Sequence, residues 1–199
     1  CEGGHVEVVQ LLINARANIN NRNEQNDTPL LTASLHGHAS LVGLLVNAKA
    51  KIDVQDNLGM SPLLGACFNG HDEVVETLMN VKANISLQDK YGRSPLNAAG
   101  YEGHLAISKR LITAKANVNL PGVYGKSPLH NACRNNSVDV LKLLVDANAN
   151  PNQADKYGVR PLYVACQGGF TDVVSVLMAA KAHADVYLKS GNGPLYVAC

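Results

Sequence analysis

Histidine and cysteine are the side chains here best suited to holding a metal, and their spacing works against it. His5, His38, His71 and His104 recur every 33 residues, and Cys1, Cys67, Cys133, Cys166 and Cys199 stand at multiples of the same interval. A zinc site needs its ligands converging within a few ångströms, whereas a comb of this period spreads them apart. His36 and His38 form one close pair, too few ligands for a stable site. Nucleophilic catalysis meets the same obstacle. Ser, His and Asp are all present, but GxSxG, HExxH, P-loop and CxxC patterns are absent. A nucleophile and its base must meet within hydrogen-bond reach, and repetition separates them. The chain is therefore expected to be no enzyme, with no metal, no cofactor and no small-molecule substrate.

Charge and apolar content narrow the remaining classes. Lys and Arg number 17 against 16 Asp and Glu, so bulk charge does not drive binding to nucleic acid or membrane. No apolar run approaches the roughly 18 residues of a membrane span. With no Trp, two Phe and seven Tyr, the core must be aliphatic and each Tyr needs its own explanation. Asn26, Asn84 and Asn135 match glycan-acceptor triplets, which an intracellular chain would leave unused. The first residue is Cys1, not Met, so the native N-terminus is expected to lie further upstream.

The elements that carry these residues are repeated. Prolines at 29, 62, 95, 128, 161 and 194 are 33 residues apart, and Leu follows each. Three residues before the proline stand Asn26, Gly59, Gly92, Gly125, Gly158 and Gly191; eight after it stand Gly37, Gly70, Gly103, Asn136 and Gly169. Gly and Asn are the residues that best tolerate positive φ, so both columns predict left-handed turns. Each period predicts two helices. The first opens at the proline behind a Ser or Thr cap, as in "SPLLGACFNG". The second has apolar residues stepping by three and four, as in "SVDVLKLLVDANA". A unit this small cannot bury its own apolar face and must stack on its neighbours, which gives an elongated solenoid. The cysteines share one position, five after the proline, with Ser34 and Gly100. That is a small-residue packing position between helices roughly 8–10 Å apart, too far for a disulfide's Cα spacing of about 7 Å or less. Free buried thiols and a reducing compartment are expected.

"DKYGRSPLNAAGYEGH", "YGKSPLHNAC" and "HASLVGLLVNAKAKIDVQD" resemble the ankyrin repeat over the whole chain. The resemblance implies an all-α ankyrin-repeat solenoid of 33-residue helix–loop–helix–hairpin units stacked in a curved array. It would be a single solenoid over 1–199: a partial repeat 1–22, full repeats 23–55, 56–88, 89–121, 122–154 and 155–187, and a partial repeat 188–199. Neither end resembles a polar capping repeat, so a slice of a longer array is expected. Two positions depart from the family pattern. The His after Pro-Leu, which in the family ties neighbouring hairpins, occurs as His130, while Leu31, Leu64, Asn97, Tyr163 and Tyr196 leave that tie open. The Gly that closes the second helix is replaced by Arg16, Lys49, Lys82, Lys115, Asn148 and Lys181. A non-Gly residue costs roughly 1–2 kcal/mol in the left-handed region, so some of these ends are expected to close differently.

The resemblance also implies an intracellular, cytoplasmic monomer whose concave face binds a protein partner. Carried over residue by residue, that face has hairpin tips bearing Leu58, Met60, Tyr91, Arg93, Tyr124, Lys126, Tyr157 and Val159, and first helices adding Leu35, His36, Phe68, Tyr101, Glu102, Arg134 and Gln167, of which Phe68, Tyr101 and Arg134 are the expected contacts. Tyr and Arg are favoured interface anchors, and Tyr91, Tyr124 and Tyr157 share one repeat position. The alternative occupant of the tyrosines is the hairpin itself, stiffened by their rings. A second reading is an anionic ligand, nucleic acid or acidic lipid, along Arg16, Lys49, Lys82, Lys115 and Lys181. Against it, cations there offset helix dipoles, matched by Glu7, Asp72, Glu73, Asp139 and Asp172 at the helix starts. Asn20, Asn119 and Asn152 have the Leu eight residues earlier that the family's asparaginyl hydroxylation prefers.

Overall fold

Proline after a Ser or Thr cap starts a helix because its missing N–H would be unpaired there anyway. The computed structural model, which describes residues 2–185, 188 and 190–199, has helices that open at proline at α2 (Pro29–Leu35), α4 (Pro62–Asn69), α6 (Pro95–Glu102), α8 (Pro128–Arg134), α10 (Pro161–Gln167) and α12 (Pro194–Ala198). Thr28, Ser61, Ser94 and Ser127 each accept a hydrogen bond from the backbone N–H three residues on. Arg160 stands in the cap position of α10 and makes no such bond. The amphipathic partners are α1 (Val6–Asn14), α3 (Ala39–Asn47), α5 (Asp72–Asn80), α7 (Leu105–Thr113), α9 (Val138–Asp146) and α11 (Thr171–Ala179). No strand occurs among the described residues, and no helix among them is long and apolar enough to cross a membrane.

The chain divides into two compact units, Cys1–Lys90 and Tyr91–Cys199. In the first, α2 packs on α3 and α4, α4 on α5, and α3 bridges α1 and α5. In the second, α6, α8, α10 and α12 pack in sequence, and α9 lies against both α7 and α11. The core is aliphatic, as expected. Leu30, Leu63, Leu96, Leu129 and Leu162 are buried, with Leu45, Leu78, Leu111, Leu144 and Leu177 from the second helices. The equivalent residues of the first and last helices, Leu12 and Leu195, are 52% and 80% exposed. Ser108 departs from the apolar pattern: it is fully buried where Val42, Val75 and Leu141 stand in other repeats.

Both exceptional asparagines adopt the left-handed backbone, Asn26 at φ 66° and Asn136 at φ 52°. The ends of the second helices correct an expectation. Arg16, Lys49, Lys82, Lys115, Asn148 and Lys181 all take φ between 62° and 67°, so every one of these helices closes in the same way. Two hydrogen bonds explain it. Lys49 N donates to Val46 O at 3.0 Å and Ala50 N to Leu45 O at 3.0 Å, and the pattern recurs at each end. The alanine is then buried, as at Ala50, Ala83, Ala116, Ala149 and Ala182. Satisfied carbonyls and a buried methyl offset the local strain.

Candidate functional site

A hairpin tip can present side chains only if its backbone is held, and an aspartate six residues before the proline does this. Asp56 Oδ1 accepts from Leu58 N at 2.8 Å and Met60 N at 2.7 Å. Asp155 Oδ1 accepts from Tyr157 N at 2.8 Å and Val159 N at 2.9 Å, and Asn23 does the same for Gln25 and Asp27. Such Asx turns need a short side chain with an acceptor oxygen. Gly122 occupies this position in its own repeat and has none. There the tip becomes a 3-10 turn over Val123–Gly125, with Tyr124 forced to φ 64°. Successive tips are joined by main-chain bonds. Lys90 N donates to Leu58 O at 2.8 Å in the first unit, and Lys156 N to Tyr124 O at 2.7 Å in the second. Gly59 makes the approach feasible: it has φ 81°, and a Cβ on it would lie 2.9 Å from Asp89 Cα.

The tyrosines proposed from the sequence stand outward on these tips. Tyr91, Tyr124 and Tyr157 are 52%, 51% and 62% exposed. The rings of Tyr124 and Tyr157 meet at 6.0 Å between centroids with a 37° tilt. Lys156 lies between them, its Nζ 3.8 Å from the Tyr124 centroid and 4.8 Å from that of Tyr157. Both distances fall within cation–π range. Arg93 covers Tyr91 in the same manner, with Cζ 5.2 Å from the ring centroid. Lys126 and Val159 are half-buried beside these tips, and Tyr101 and Arg134 are exposed on α6 and α8. Asn135 Nδ2 donates to Tyr101 O, which fastens the end of α6 to the turn after α8. In the first unit Leu58 is exposed, while Met60 and Phe68 are half-buried.

His130 supports this surface from beneath. It is buried, accepts from Ser127 N at Nδ1 and donates from Nε2 to Val159 O at 3.0 Å, which ties α8 to the next tip. Burial is the main cause that lowers its pKa from the ordinary 6.5, and nearby Lys126 adds to it; the bond to Val159 O and the charge of Asp155 oppose the shift. Asn97, at the equivalent place, donates to Leu120 O at 3.0 Å and accepts from Asn131 Nδ2 at 2.9 Å, so it grips the connector instead of a tip. The connectors have their own ladder: Asn20, Asp53, Asn119 and Asn152 each accept from the backbone N–H 31 residues on.

Burial drives the Cys67 and Cys133 thiols far above the ordinary range, which keeps them protonated, and Cys166 is raised in the same direction. These three and Cys199 are free thiols, while Cys1 lies outside the described residues. His36 and His38 stack with centroids 6.0 Å apart, and no group of three or more ligating side chains occurs among the described residues. The cations at the second-helix ends are exposed.

Sequence reasoning missed Lys156 and the aspartates beneath the tips. The aspartates carried a readable signal, an Asn or Asp at 23, 56, 89 and 155, always six before the proline. Lys156 carried none, because Lys90 and Asn57 hold the same position without a tyrosine in both the preceding and the same tip.

The family model for ankyrin repeats (3 copies) matches residues 1–89, 63–155 and 129–199. Among solved structures, the human ASB11 ankyrin repeat domain is similar with a TM-score of 0.90 and 24% identity, covering 100% of this chain and 89% of that one. The search of curated proteins returned no match.

Proposed function

Since the chain belongs to the ankyrin repeat family, we propose that it is a non-enzymatic protein-binding module whose partner contacts the hairpin tips and the exposed side of the first helices. One observation carries the reading: Tyr124 and Tyr157 are held ring to ring on adjoining tips, 51% and 62% exposed, where no core requires them. Rigid aromatics supply large contact area at low entropy cost, so such a pair is a preformed anchor. Arg93, Lys126 and Arg134 then select acidic groups on the partner, which favours correct encounters more than it adds raw affinity. Stiffening of the tips by the same rings is compatible with this role, since pre-organisation lowers the cost of binding.

The test is capture of partners from source-cell lysate by the wild type and by a variant with Tyr91→Ala, Tyr124→Ala and Tyr157→Ala, washed at low and high salt. A partner held by the wild type at high salt and lost by the variant supports the reading. A partner unaffected by the variant but stripped by salt overturns it, because screened phosphate or carboxylate contacts along Lys49, Lys82 and Lys115 behave that way.

A further inference from the structure

Lys156 is exposed, yet its ammonium does not float free: the rings of Tyr124 and Tyr157 hold it at 3.8 and 4.8 Å. Its sequence neighbour Asp155 does not neutralise it. That carboxylate is buried under the turn, accepting from Tyr157 N and Val159 N. The backbone is fixed as well, since Lys156 N donates to Tyr124 O on the preceding tip. The result is a cation fixed at its base and backed by two π faces, with no carboxylate paired to it among the described residues. The tips and first helices of the same unit also carry Arg93, Lys126 and Arg134, with Glu102 as the exposed acid of α6.

Resting on the reading of this surface as a protein-binding face, we propose that Lys156, backed by Tyr124 and Tyr157, is a preformed carboxylate-binding head for an acidic, extended segment of the partner. Two features select an acidic segment over a basic one. The negative ring faces, which would otherwise attract a partner's Arg or Lys, are already covered by Lys156 and, at Tyr91, by Arg93. Arg93, Lys126, Arg134 and Lys156 outnumber Glu102 and Asp155 on these tips and first helices, so a carboxylate meets complementary charge. The rings also restrict the lysine stem before binding, which lowers the ordering cost of capture. Three successive tips each carry a cation, at Arg93, Lys126 and Lys156. Helix packing spaces neighbouring repeats roughly 10 Å apart, and an extended chain covers that distance in about three residues. A segment with an acid at every third residue therefore fits best.

The test titrates the full chain with a synthetic nine-residue peptide, Glu-Gly-Ser repeated three times, and follows the Lys156 side chain and the Tyr124 and Tyr157 rings by NMR. The Lys156→Gln variant is expected to weaken binding roughly fivefold, the loss of one partly exposed ion pair. Lys156→Arg stays within about twofold, because the charge and the ring contact persist. Lys82→Gln, at an exposed helix end, changes nothing, and a Lys-Gly-Ser peptide does not bind. Equal affinity for wild type and Lys156→Gln, or preference for the basic peptide, overturns the proposal. The two readings fail separately. A lysate partner lost with the tyrosines but indifferent to Lys156→Gln removes the carboxylate head and leaves the binding face. Peptide binding at Lys156, with a lysate partner that ignores the tyrosine substitutions, does the reverse.

Discussion

Replacing Ser108 by Ala is expected to stabilise the chain, although it deletes a polar group and adds no contact. Ser108 is fully buried in α7, and its Oγ has no hydrogen-bond partner among the described residues. A buried donor left unsatisfied costs about 1–3 kcal/mol of desolvation. Alanine removes that cost, and its better helix propensity adds up to about 0.5 kcal/mol. The methylene that remains keeps the existing packing, so no cavity penalty enters. Taking the lower half of the range, the gain is about 1–2 kcal/mol, a factor of roughly 5–30 in the local opening equilibrium. Native-state hydrogen exchange reads this directly. In the wild type the α7 amides should exchange faster than those of α9 and α11, since solenoid stability sums over repeats and their interfaces. In Ser108→Ala the α7 protection should rise by that factor. If α7 is the best protected helix of the wild type, or if the variant leaves its protection unchanged or lower, the reasoning fails.

Three further outcomes follow from the same geometry. Burial lowers the His130 pKa, so the unfolded chain binds the proton more readily; stability should be full above the ordinary value of 6.5 and fall as pH drops through it. Urea midpoints against pH should show this slope in the wild type and lose it in His130→Asn. Arg160→Ser should gain about 0.5–2 kcal/mol by capping α10 as Ser127 caps α8, read as a higher urea midpoint at unchanged m-value. Lys49→Gly should gain about 0.5–1 kcal/mol by relieving its left-handed backbone, whereas Lys49→Ala, which keeps the strain, should gain nothing.

Much of this molecule was legible from local chemistry alone. Proline at a first turn, Ser or Thr before it, and Gly or Asn at positive φ are preferences of single residues and their immediate neighbours. A period of 33 residues repeats them until the architecture admits no other reading. The same locality exposed Tyr91, Tyr124 and Tyr157 as residues the core does not use. Tertiary structure decided what depends on atoms a repeat apart. Lys49 and its equivalents violate a local preference, and it took paired carbonyls and a buried alanine to hold them in the left-handed region. Asn97 and His130 occupy one repeat position, yet a ring reaches the next tip and a shorter amide grips the connector. Lys156 is one lysine among several in the sequence; only the folded tips bring two rings to its ammonium. Backbone preference is read one residue at a time, whereas a side chain's partner is set by where the neighbouring repeat ends up.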